Sequence, residues 1–230
     1  MKLLLVAALL GSASASADGF AHRLELGGGT AFPLAVDAEA TLWLGDYVAI
    51  EAAIGVMPGP YVDAINKTAV ALGAYDDTTA ELIAAALDTA IIARTDVAIA
   101  PFRFPLAFDL GYSLAALGGG VGGATAVEAV TGEQVRADTG NDIPMHSTVH
   151  FVQIGAAWRF TLRPSLILKV SLEYTQPFAS GSSIDVSGRT PQAQARIDKA
   201  STELDSYLNE TYTSYVKSPV IGVSLRWRPR

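Results

Sequence analysis

Residues 36–44 read Val36-Asp37-Ala38-Glu39-Ala40-Thr41-Leu42-Trp43-Leu44, and after Gly45-Asp46 the chain resumes as Tyr47-Val48-Ala49-Ile50-Glu51-Ala52-Ala53-Ile54-Gly55-Val56. In the first run Val36, Ala38, Ala40, Leu42 and Leu44 fall on one side, opposite Asp37, Glu39, Thr41 and Trp43. In the second, Val48, Ile50, Ala52, Ile54 and Val56 oppose Tyr47, Ala49 and Glu51. Side chains alternate faces only along an extended strand, so this is a hairpin with one apolar face and one polar face. Gly45-Asp46 supplies the tight turn.

The pattern recurs outward in both directions. Upstream, Arg23-Leu24-Glu25-Leu26 and the glycines behind it read as a first strand that runs to Phe32 and ends at Pro33. Downstream, Thr95, Val97 and Ile99 oppose Arg94, Asp96 and Ala98, and after Arg103-Phe104-Pro105 the residues Leu106, Phe108, Leu110, Tyr112 and Leu114 oppose Asp109, Gly111 and Ser113. Val152, Ile154, Ala156, Trp158 and Phe160 oppose Gln153, Gly155 and Arg159; beyond Leu162-Arg163-Pro164-Ser165, Leu166, Leu168, Val170, Leu172 and Tyr174 oppose Lys169, Ser171, Glu173 and Thr175. Ile221, Val223, Leu225 and Trp227 against Gly222, Ser224 and Arg226 close a set of eight strands.

Eight strands of this kind, joined alternately by short turns and long insertions, predict a closed antiparallel eight-stranded transmembrane β-barrel, because closure satisfies every backbone group in lipid. The chain resembles the small outer-membrane β-barrels of the OmpA and OmpX type over nearly all of residues 18–230. That resemblance implies a Gram-negative-type outer membrane, short periplasmic turns and longer extracellular loops. In that family the last strand usually ends on an aromatic residue, whereas here Trp227 is followed by Arg228-Pro229-Arg230.

Composition agrees with such a protein. The 230 residues are 50% hydrophobic and 17% charged, contain no cysteine and carry a net charge of −7. Absence of cysteine removes disulfides, thiolate metal cages and thiol chemistry, and an acidic chain lacks the clustered basic surface that nucleic acid requires. At the N-terminus Lys2, the apolar run Leu3 to Leu10 and Ala15-Ser16-Ala17 read as a cleavable secretory signal over residues 1–17. The apolar run is too short to span a bilayer as a helix.

Alternation alone does not say which face is inside, since a soluble barrel of lipocalin type would wear the reverse dressing. Aromatic placement favours the membrane. Phe108, Trp158, Phe160 and Trp227 lie on the apolar face near the short-turn end, and Tyr112 and Tyr174 lie toward the loop end, as two interfacial girdles would. The polar face then forms the lumen, with Glu25, Asp37, Glu39, Glu51, Asp96, Asp109 and Glu173 against Arg23, Arg94, Arg159, Lys169 and Arg226. An eight-stranded barrel is just wide enough for side chains to fill, so these charges are expected to pair across it and leave no wide water channel.

The insertions carry helical periodicity. Val62, Ile65, Ala69 and Leu72 space a helix over residues 60–72 that Gly73 ends. A second follows a cap at Asp77 or Thr78, with Glu81 in its first turn and a stripe of Leu82, Ala85, Ala86, Thr89 and Ala90, so the first insertion is helical over about residues 60–90. Thr190-Pro191 opens a helix in the last insertion, near residues 190–212, with Ile197, Ala200, Leu204 and Leu208 on its apolar stripe. Such stripes must be covered, by each other, by the barrel mouth or by a protein partner at the extracellular loops.

Candidate chemistry is sparse. Gly118-Gly119-Gly120-Val121-Gly122-Gly123 contains a G-x-G-x-x-G spacing but opens no βαβ unit, and is expected to be a flexible loop. His146 and His150 share one strand face about 13 Å apart, too far for one metal ion. Ser147 beside His146 invites comparison with outer-membrane lipid A deacylases, yet adjacent strand residues point to opposite faces and the His-x-Ser-Asn pattern is absent. Asn66-Lys67-Thr68 and Asn209-Glu210-Thr211 match the glycosylation acceptor, which has no meaning in a bacterium. The sequence therefore predicts a non-enzymatic outer-membrane wall protein or surface scaffold in contact with outer-membrane lipid, without cofactor or metal. The alternative is a narrow transporter of small or apolar solutes.

Overall fold

The computed structural model describes residues 23–71, 89–101, 105–122, 142–184 and 217–229, with single positions 73, 80, 83, 84, 87, 199, 202, 205, 206, 209, 210 and 213. The expected signal segment, Asp77 and Thr78, and the start of the last helix at Thr190-Pro191 lie outside them.

Period-two patterning becomes eight antiparallel strands: β1 (Leu24–Phe32), β2 (Ala35–Trp43), β3 (Val48–Val56), β4 (Thr89–Ile99), β5 (Leu106–Gly122), β6 (Asp142–Arg163), β7 (Leu166–Ile184) and β8 (Ser218–Trp227). Each pairs with its sequence neighbours, and β8 closes on β1 with Thr30 opposite Val223 and Leu26 opposite Trp227. The barrel thus has no free edge along its closed part. Turns β2–β3, β4–β5 and β6–β7 gather at one end, where Ala100 N donates to Tyr47 O (2.7 Å) and Arg159 N to Pro105 O (2.8 Å). The tight β1–β2 turn, in which Leu34 N bonds Ala31 O (2.6 Å), lies at the opposite end with the long connections.

Apolar side chains point outward and polar ones inward over the lower and middle barrel. Ile54, Leu110, Ile154, Leu172 and Ile221 are each more than half exposed, while Glu25, Thr41 and Thr175 are wholly buried. The protein is an inside-out barrel, dressed oppositely to a soluble calyx.

The strands differ in height. β7 pairs with β8 only as far as Thr175 opposite Ser218, yet continues beside β6 to Ile184. The freed edge of β7 is capped from the last connection: Asp205 Oδ1 accepts from Ser182 N (2.6 Å), and Asn209 Oδ1 accepts from Ser180 N (3.1 Å) and Ser180 Oγ (2.8 Å). The spacing explains the fit. Residues four apart on a helix rise by about 6 Å, and residues two apart on a strand by about 6.7 Å, so one helix face can meet alternate strand amides.

Two expectations need correction. The glycine run expected as a loop is the top of β5, which continues through Gly122 opposite Asp142; glycine carries no side chain to show alternation. Thr89 and Ala90, assigned to a helical stripe, open β4, where Ala90 turns inward. The first insertion contains one continuous described helix, α1 (Gly59–Ala71), followed by Gly73 with φ 69°. Of the second helix, Ile83 and Ala84 are helical, and Leu87 N bonds back to Ile83 O (3.0 Å). In the last insertion the described helical positions run from Lys199 to Thr213.

Candidate functional site

The lumen is filled in two chemically distinct layers. Nearest the short-turn end, Glu25 of β1 is wholly buried and receives Arg159 Nη2 on both oxygens (2.7 and 2.6 Å), Arg228 Nη2 (2.6 Å) and the Trp43 indole N–H (3.2 Å). The Arg159 guanidinium lies over the Trp43 ring, 4.6 Å from its centre, a cation–π contact.

Above it Arg226 of β8 reaches past β1 to two further strands. It donates to Glu39 Oε2 through Nε (2.8 Å), to Thr41 Oγ1 (2.7 Å), and to Glu51 through Nη1 (2.8 Å) and Nη2 (2.9 Å). The planar fork of a guanidinium suits this bidentate geometry. Lys169 of β7 crosses to Glu51 Oε2 (2.5 Å) and lies 3.2 Å from Asp109 Oδ2, an ion pair without hydrogen-bond alignment. Arg94 of β4 donates to Asp37 Oδ2 (2.6 Å) and Glu173 Oε2 (3.5 Å), with Glu39 at 3.8 Å. Asp96 accepts from Gln153 Nε2, whose Oε1 accepts from Ser113 (2.6 Å).

Inward glycines make room for these long side chains. A Cβ on Gly27 would lie 2.8 Å from Arg226 Cγ, and one on Gly155 would lie 2.5 Å from Glu173 Cγ. The space left between Glu39, Glu51, Arg94, Lys169, Glu173 and Arg226 is about 10 Å³, at the lower limit for a single water.

Toward the loop end the interior becomes apolar. Ala31, Ala35, Ala90, Ile92, Ala115, Leu117, Val149, Phe151 and Val220 line the wall, and Leu34, Val62 of α1, Ile83 and Leu87 pack into them. The α1 helix is fastened at its rim by Tyr61, whose hydroxyl bonds Thr30 Oγ1 (2.5 Å) and whose ring meets Phe32 edge-on at 4.9 Å. On its buried face Asn66 Nδ2 donates to Ala80 O (2.9 Å). The described residues of the first insertion therefore pack their apolar side chains into the barrel mouth and act as a plug. Asn66 and Asn209, both within Asn-x-Thr triplets, hold structural contacts.

Most lumen residues named from sequence meet in this network, but Arg23 does not. It is exposed at the barrel base, with Nη1 3.5 Å from Leu44 O, because it precedes β1 and no strand holds it inward. Thr41, Trp43 and Gln153 lay on the polar face of the alternation without being read as charge partners. Arg228 follows the last strand, and only the proximity of Glu25 in the closed barrel reveals its role.

The six aromatic residues Phe108, Tyr112, Trp158, Phe160, Tyr174 and Trp227 all face outward, between 37% and 51% exposed. Trp227 opposes Leu166 at the turn end, and Tyr174 opposes Pro219 near the start of β8. Tyr112 bonds His150 Nδ1 through its hydroxyl (2.6 Å), and both rings lie near Phe178. Ser147 points inward to Ser182 Oγ (2.8 Å), while His146 is exposed on the other face. Among the described residues no group of three or more His, Cys, Asp or Glu is placed to hold a metal ion.

No protein-family model matches the chain, and no curated protein matches it in sequence. Among solved structures it is similar to CarO2 of Acinetobacter baumannii, with 11% identity over 89% of this chain and 97% of that one and a TM-score of 0.38. A major outer membrane protein from Thermus thermophilus gives 10% identity over 89% and 98%, with a TM-score of 0.45. The N-terminal β-barrel domain of Pseudomonas aeruginosa OprF gives 11% identity over 89% and 93%, with a TM-score of 0.38.

Proposed function

We propose that the protein is a non-enzymatic outer-membrane wall protein of a Gram-negative-type bacterium, exported by its N-terminal signal and closed to solute flow. The observation that carries this reading is the inverted dressing of the barrel. A belt of exposed Ile, Leu, Val and aromatic side chains encloses a buried ion-pair layer. Water would penalise so large an apolar surface on a monomer, whereas lipid solvates it. The interior supports a wall in preference to a conduit, because it is sealed twice, by ion pairs below and by the α1 plug above. Surface interactions of such a wall reside in the parts of its loops that the plug does not use.

The test has two arms. The mature protein is expected to fractionate with outer membranes and to migrate differently on gels before and after boiling; recovery as a detergent-independent soluble monomer refutes the membrane reading. In planar bilayers the folded barrel is expected to show no stable conductance. Large, long-lived open steps would replace the wall by the transporter.

A further inference from the structure

The barrel base carries an excess of guanidinium groups in a chain whose net charge is −7. Arg163 closes β6, Arg228 follows β8 and Arg23 precedes β1. The backbone places them on one arc. Arg228 N donates to Ser165 O of the β6–β7 turn (3.0 Å), and Trp227 opposes both Leu166 of β7 and Leu26 of β1. Neighbouring strands are about 4.8 Å apart, so the step from β6 to β1 spans about 15 Å.

Charge on this arc is unbalanced. Glu25 is the buried acceptor for two cations, Arg159 and Arg228, and Arg23 and Arg163, both exposed, have no ion-pair partner among the described residues. The exposed Asp46 in the β2–β3 turn offsets one of these charges at most. Immediately above the arc the outward surface is apolar and aromatic, with Phe160, Leu162 and Trp227 each about half exposed.

We infer that this arc is a docking surface for the phosphate headgroup of an anionic phospholipid in the leaflet that the short-turn end meets. The inference rests on the membrane reading above. Guanidinium groups pair with phosphate bidentately, and a phosphate standing directly below an apolar wall is one whose acyl chains can lie along that wall. A free anion would use the charges and leave the adjoining apolar strip uncovered by any part of itself.

The protein is refolded into nanodiscs of phosphatidylcholine containing a minor fraction of brominated phosphatidylglycerol or brominated phosphatidylcholine, and quenching of the outward Trp158 and Trp227 is compared. A basic residue at a membrane surface favours anionic lipid about fivefold, so relative affinity for phosphatidylglycerol is expected at about twentyfold or more. It should fall about fivefold in each of Arg23→Gln and Arg163→Gln and approach unity in the double variant. Both residues are exposed, and boiling-dependent gel migration checks that these variants remain folded. Equal quenching by the two lipids in a folded, inserted barrel overturns the inference, whereas failure to insert overturns the membrane reading itself. Inorganic phosphate at millimolar concentration is expected not to displace the lipid; displacement would assign the arc to a free anion and overturn the lipid as its occupant.

Discussion

Replacing Arg226 by glutamine tests the lumen network at its most connected point. Arg226 is 1% exposed and donates to Glu39, Thr41 and Glu51, so its removal leaves the buried Glu51 and the part-buried Glu39 short of a cation. Glu51 keeps Lys169 at 2.5 Å, and Glu39 keeps only Arg94 at 3.8 Å. Breaking a buried pair from one side costs about 3–5 kcal/mol, most of it the desolvated charge left behind. The expected destabilisation is in that range, read as a shift in the urea midpoint of the folded barrel in detergent, with folded fraction followed by gel migration. Neutralising the stranded acceptor should recover part of the loss: Arg226→Gln with Glu51→Gln is expected to be more stable than the sum of the single changes by at least about 1 kcal/mol. A single-variant loss below about 1 kcal/mol, or additive singles, would refute the view that these ion pairs form one buried unit.

Three further outcomes are expected. Gly155→Ala should destabilise by about 1–3 kcal/mol, and by more than Gly222→Ala, because its Cβ would press on Leu172 O at 2.7 Å as well as on Glu173 Cγ, whereas at Gly222 the near atom is the movable Ser171 hydroxyl; denaturant midpoints compare them. Val62→Asp places a charge in the apolar plug and should open α1 to limited proteolysis without raising bilayer conductance, since the ion-pair layer below still seals the lumen. Asp205→Ala with Asn209→Ala removes the cap on the β7 edge, so amide exchange at Ser180 and Ser182 should accelerate about tenfold or more while the closed strands keep their protection.

Legibility in the sequence followed one physical condition, that the two sides of a strand meet different surroundings. In residues 36–56 one side is the exposed apolar surface of the barrel and the other meets the ion-pair layer, so polarity alternates and both strands are visible. At the loop end the inner surroundings are the apolar plug, and alternation vanishes. Ala90-Ile91-Ile92 and Ala115-Ala116-Leu117 are apolar on both sides, with Ala90, Ile92, Ala115 and Leu117 buried in the plug layer. That is why the start of β4 merged into a helical stripe. The charge list was recoverable because a charged side chain at an inward position of a narrow barrel has nowhere else to go. Its pairing was not, since Arg226 and Glu51 are 175 residues apart and meet only through closure.

Closure and the ion pairs depend on one another in a direction the geometry defines. Arg226 and Arg228 belong to the end of the chain, yet their acceptors lie on β1, β2 and β3 at its beginning. Before β8 docks, Glu25, Glu39 and Glu51 lack these cations; once it docks in register, Arg226 passes over Gly27, where any larger residue would strike its Cγ. A slip of one residue would turn Arg226 to the outer apolar face and Trp227 into the lumen, because strand faces alternate. Such a register would set a charge among the exposed apolar side chains and take one cation from each of the three carboxylates inside. The network's main contribution is therefore specificity of the seam, since buried ion pairs add little over an apolar filling but penalise every wrong register heavily.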